Sequence, residues 1–154
     1  MAYASTVPAA ITALLAAFGS AAGLAGVEVR DGPQAPDTSA LEAVYVGWTG
    51  DETHGSDAWT SQEAPEGTGQ ENREIYSVHC SVMVLNPDED LAACRARALQ
   101  LRAAAGAAVA ADHTLGKTVM WAAFGAGSGR QVPVMNGIKV FVLFDVDCDA
   151  FTAR

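Results

Sequence analysis

The sequence predicts an α+β fold: a mainly antiparallel β-sheet with an N-terminal helix and one long central helix packed on it. Three observations lead there. Residues 73–85 and 138–148 alternate apolar with polar side chains, the period of a half-buried strand. Between them Leu91, Cys94, Ala98, Leu101, Ala105 and Val109 recur at helical spacing on one stripe. Strands outnumber helices, and turn signals between them favour hairpins over crossovers. The 154 residues suit one domain, and half of them are apolar, enough for one core.

Residues 6–22 read as the first helix, with Thr6 as N-cap and Pro8 in the first turn. Its large residues Ile11, Leu14, Leu15 and Phe18 share one face. Residues 1–27 lack any charge, yet no Lys or Arg precedes Arg30, and Ala, Gly, Ser and Thr dilute the run. The expectation is therefore a docked amphipathic helix, rather than a signal peptide or membrane span. Short strands follow at 27–30 and 43–48. Residues 49–72 are polar, with Trp59 the only large apolar side chain, and read as one long loop.

The strand at 73–85 places Tyr76, Val78, Cys80, Val82 and Val84 on one face and Ser77, His79 and Ser81 on the other. Asn86 and Pro87 then look like the cap and first residue of the central helix, which should run to about Asp112. A further strand is expected over 118–124. Residues 125–129, Gly-Ala-Gly-Ser-Gly, read as a hairpin tip with 130–135 as the returning arm, and Asn136-Gly137 as a second turn. The final strand, 138–148, puts Val140, Val142, Phe144, Val146 and Cys148 on one face.

The chemistry-bearing residues form no recognised catalytic pattern. The glycines at 125–129 lack the spacing and following helix of a phosphate loop. Asp145, Asp147 and Asp149 open like a calcium loop, but Ala150 stands where glycine is required. His54, His79 and His113 show no metal-ligand spacing, and no nucleophile motif is present. Cys80, Cys94 and Cys148 are odd in number with no CxxC pair, so reduced core thiols in a cytoplasmic protein are expected. Asp and Glu outnumber Lys and Arg by 18 to 9, giving a net charge of −9 that disfavours gripping nucleic acid or anionic membranes. The sequence is therefore read as a single soluble assembly domain over 1–154, without enzymatic activity, cofactor or metal.

The order of elements carries a resemblance. The first helix leads through Val27-Glu28-Val29-Arg30-Asp31-Gly32-Pro33 into Ala43-Val44-Tyr45-Val46-Gly47-Trp48. After the polar loop come Arg73-Glu74-Ile75-Tyr76-Ser77-Val78-His79-Cys80 and the arginine-bearing helix around Ala93-Cys94-Arg95-Ala96-Arg97. Asp112-His113-Thr114-Leu115-Gly116 and Asn136-Gly137-Ile138-Lys139-Val140-Phe141-Val142 complete it. This order resembles the tail terminator, or tail completion, proteins of long-tailed bacteriophages and prophages. The resemblance implies a six-membered ring at the head-proximal end of the tail tube, one that stops tube polymerisation and presents the head–tail joining surface. The implied partners are further copies of the chain, the major tail tube protein and the head–tail connector. DNA would pass through the ring without sequence-specific binding, no membrane is involved, and assembly would occur in the bacterial cytoplasm. A head–tail adaptor or a neck component of a contractile injection particle is the nearest rival. A small-molecule-binding or enzymatic α+β domain is the rival of another class.

Candidate interface residues follow from charge and size. Arg95, Arg97 and Arg102 are cations on an acidic chain, so they could pair with carboxylates across a subunit boundary, against ordinary solvation of a helix surface. Asp145 and Asp147 are weighed the same way. Trp59 is a candidate partner anchor, whereas Trp48 is expected in the core.

Overall fold

The structure, a computed structural model, describes residues 4–34, 39–50, 57–62, 72–125 and 127–152. In chain order the elements are α1 (Val7–Ser20), a 3-10 turn (Ala22–Leu24), β1 (Glu28–Asp31), β2 (Glu42–Val46), β3 (Trp59–Gln62), β4 (Asn72–Asn86), α2 (Leu91–Ala111), β5 (Trp121–Phe124), β6 (Gly129–Val134) and β7 (Gly137–Thr152). The strands form one mixed sheet with both helices on one face, so the architecture is α+β, as expected.

The two alternating runs become the central pair. β4 and β7 are antiparallel over fifteen residue pairs, from Asn72 opposite Thr152 to Asn86 opposite Ile138. Because strand side chains alternate between faces, Tyr76, Val78, Cys80, Val82 and Val84 lie beside Val140, Val142, Phe144, Val146, Cys148 and Ala150 under the helices. α1 contributes Val7, Ala10, Leu14 and Phe18 to this core, with Ile11 and Leu15 half-buried beside them. Burying Leu14 and Phe18 contributes roughly 1.5–3 kcal/mol each. A helix of 14 residues could not match that from its own propensity. α2 buries the predicted stripe of Cys94, Ala98, Leu101, Ala105 and Val109. All three cysteines are free and buried; burial pushes the Cys80 and Cys148 thiols up to about 12 and raises Cys94 as well.

Each central strand is flanked by a strand broken in the middle. Both β2 and β3 pair antiparallel with β4, β2 opposite residues 80–84 and β3 opposite 75–78. On the far side β5 and β6 lie collinear along β7, opposite 146–149 and 137–142. β1 adds parallel to β2.

Four expectations are corrected. Residues 49–72 are not one loop, since Trp59–Gln62 is a strand and β4 begins at Asn72; the stretches 51–56 and 63–71, with His54, lie outside the described residues. The glycine-rich run is not a hairpin tip. Gly125 N donates to Asp145 O and Ser128 exchanges main-chain bonds with Leu143, so the segments on either side of the run both lie along β7 and do not pair with each other. The hairpin is the other turn, where Met135 and Asn136 join β6 to β7. Finally, α2 starts at Leu91, because Asn86 is still in the ladder opposite Ile138. Asp90 is the cap, its carboxylate accepting from Ala93 N at 3.1 Å, while Asn86 Oδ1 accepts from Asp88 N in the preceding turn. Thr6 does occupy the N-cap of α1, but its hydroxyl bonds Glu74 and Tyr76, tying the helix to β4 rather than capping it.

The face without helices is closed at one end. There Tyr45, Trp48, Met83 and Phe141 form a second apolar cluster, with Trp48 edge-on to both Tyr45 and Phe141. Buried Ser81 donates to Trp48 O at 2.7 Å and pins the chain leaving β2 over the sheet. At the other end no such cluster covers this face among the described residues.

Gly137 tests the hairpin. Its φ is +144°, and a Cβ there would lie 2.2 Å from Asn86 O. Gly137→Ala should cost at least about 2 kcal/mol through backbone strain and overpacking. Gly19→Ala, in α1 with nothing within 4 Å of the added methyl, should instead stabilise by about 0.5 kcal/mol. Urea unfolding of the two variants measures both.

Candidate assembly surface

The open end of the sheet carries a polar row made by the β4–β7 register. His79 faces Asp145 and Ser77 faces Asp147 as direct partners. His79 Nδ1 lies 2.6 Å from Asp145 Oδ1, and Thr60 Oγ1 on β3 lies 2.6 Å from His79 Nε2. Ser77 Oγ donates to Asp147 Oδ1 at 2.5 Å. Arg73 grips Asp149 with both Nε and Nη2, one diagonal step away. The hydrogen bond from Arg73, then its charge, holds the Asp149 carboxyl below its ordinary range. Asp145, Asp147 and Asp149 do share one side, as alternation requires, and each has an intrachain partner. At the margin beside them stand Trp121 and Phe151, 56% and 47% exposed, on the same face by register. Trp59 is 48% exposed on β3 opposite Val78, while Trp48 is core.

The three arginines of α2 separate into two kinds. Arg97 is bound to Glu42 through Nε at 2.5 Å and Nη2 at 3.2 Å, fastening α2 to β2. Arg95 and Arg102 have no carboxylate partner among the described residues. Arg95 donates to Gln131 Oε1 at 2.9 Å. Arg102 reaches Gly125 O at 3.3 Å and covers the Phe124 ring at 4.8 Å. With Leu99 between them they form one wall of a groove of about 410 Å³. Its floor is Val140 and Val142, and its other wall is the chain at 127–131.

Two cations that the sequence reading passed over complete this corner. Arg130 pairs with Phe141 and Lys139 with Val132, which puts both on the opposite face of the sheet. Arg130 Nη2 donates to Thr49 O there. Neither is salt-bridged among the described residues. Four of the chain's nine cations thus bracket β6, two on each face. The turn at 135–136 was the available signal, since counting back from it sets Lys139 opposite Val132 and Arg130 opposite Phe141.

A second groove, about 500 Å³, runs between the C-terminal ends of α1 and α2 and is lined mainly by alanines. Among the described residues no three His, Cys, Asp or Glu side chains are placed to hold a metal, and no helix is long and apolar enough to cross a membrane.

The Arg73–Asp149 contact gives a pH signature. A carboxyl with a depressed folded pKa contributes stability above its unfolded value, near 3.8, and loses it as pH falls through the folded value. Asp149→Asn should lower the urea midpoint at neutral pH, and the gap to wild type should close as pH drops below 3.8. A gap independent of pH would assign the loss to packing.

No protein-family model matches the chain, and no curated protein matches it either.

Proposed function

We propose that the chain is a structural subunit that assembles into a ring and caps the head-proximal end of a phage tail tube, ending polymerisation and presenting the surface on which the head docks. One observation carries the assembly part of this reading: Trp121 and Phe151 stand half-exposed together on one margin of the sheet. Large aromatics held out by regular strands are an expense to a monomer and an anchor for a partner. The two sheet margins also differ, with β1 on one side and the β5–β6 line on the other. Unlike margins suit head-to-tail contact, which closes into a ring where the rotation permits. The tube-capping part rests on the order of elements, helix, strands, arginine-bearing helix, hairpin and long last strand.

Deleting the gene from the phage or prophage that encodes it and imaging the tails tests the reading. Overlong tails without heads are expected. Tails of normal length without heads favour a head–tail adaptor instead, and normal tails with heads attached overturn both.

A second reading is favoured by the Thr60–His79–Asp145 chain of hydrogen bonds, which orders a hydroxyl, an imidazole and a carboxylate as in acyl transfer. An active-site hydroxyl probe that labels Thr60 in the native chain, and not in His79→Ala, would support it. Equal absence of label in both removes it.

A further inference from the structure

We propose that the outer edge of β6 receives an extended acidic segment of a partner protein as an added strand. The inference goes beyond the tail reading and does not depend on which particle is assembled.

Three features of the edge carry it. The first is backbone polarity. Ser128 and Leu143 exchange both main-chain bonds, Ser128 N to Leu143 O at 3.2 Å and Leu143 N to Ser128 O at 2.7 Å. Bonded pairs alternate along an antiparallel ladder, so Arg130, Val132 and Val134 turn inward to β7. The amides of Gly129 and Gln131, and the carbonyls of Gly129, Gln131 and Pro133, then face outward. Pro133 falls at an outward position, where its missing N–H costs the sheet nothing and marks the end of the usable edge. β7 is the only strand paired with β6 among the described residues.

The second feature is charge. Side chains of an added strand would alternate between the faces, as those of β6 do. On the helix side they would meet Arg95 and Arg102, and on the other side Arg130 and Lys139. These four cations, like Lys117 in the turn after α2, lack carboxylate partners among the described residues, whereas Arg30, Arg73 and Arg97 each have one. In a chain with 18 acidic residues, cations left over on both faces of one edge strand fit carboxylates brought from outside.

The third feature is space. α2 makes the groove of about 410 Å³ with the chain at 127–131, so the helix-side face of this corner is not covered by helix. Leu99 and the floor of Val140 and Val142 leave room for an apolar side chain between two acids. A nucleic-acid strand fits less well. It would satisfy the cations but not the outward amides and carbonyls, and a net charge of −9 opposes a polyanion along its whole length.

Fluorescence anisotropy with a labelled peptide of alternating acidic and valine residues tests the proposal, using the intact chain. Binding should weaken as salt rises. It should fall at least tenfold in Arg95→Glu/Arg102→Glu and in Lys139→Glu, with circular dichroism reporting the fold. The same peptide N-methylated along the edge that would face β6 keeps its charge and should lose binding to the unaltered protein. Equal binding of the methylated peptide, or tighter binding of a single-stranded oligonucleotide, overturns the added strand. So does self-association of the chain that shields β6 amides from hydrogen exchange, which would assign the edge to a second copy.

Discussion

The ladder between β4 and β7 is the constraint on which the rest depends. Over fifteen pairs its register assigns every even residue of 76–84 and 140–150 to the helices and every odd one to the opposite face. A slip of one residue would put Asp145, Asp147 and Asp149 beneath α1 and α2 and expose Phe144 and Val146. That cost makes the register unique. The polar row follows from the same fact, since His79 meets Asp145 and Ser77 meets Asp147 only because they are direct cross-strand partners.

The flanking strands break at the height of His79 and Asp145. β2 ends opposite Cys80 and β3 starts opposite Val78, while the gap between β5 and β6 faces residues 143–145. This level divides the open face. Above it, the chain after β2 folds back so that Trp48 covers Tyr45 and Phe141. Below it no such cover is described, and the face carries paired polar groups with Trp121 and Phe151 at its margin. The sheet thus has a closed half that adds stability and an open half that presents chemistry.

What the sequence disclosed and what it withheld follow from the range of each interaction. The long alternations, the α2 stripe and the burial of Trp48 are local patterns, and each reappears in the fold. β3 carries no such pattern: Trp59, Thr60 and Ser61 are exposed, and the strand exists because the edge of β4 at 75–78 is there to pair with. Glycines at 125, 127 and 129 look like a reversal by local rules, but β7 is long enough to hold both segments in line. Arg97 could not be told from Arg95 and Arg102 because Glu42 is 55 residues away in sequence. Asn86 is the cap that the local pattern suggests, but its pairing with Ile138 keeps it in the ladder, and Asp90, a residue type that caps as well, takes the place.

Net charge and local charge act here at different distances. Copies carrying −9 repel one another and most acidic partners at long range, but that repulsion is screened beyond about 8 Å at physiological salt. Inside that distance a partner meets individual groups, and the groups around β6 are positive while the row at 145–149 is already neutralised in part by Arg73. Attraction is therefore confined to one margin and to close approach. A free strand edge is ordinarily an aggregation hazard. Its short length, its end at Pro133 and the cations on both faces admit an acidic partner and turn away the uncharged, apolar strands that aggregate.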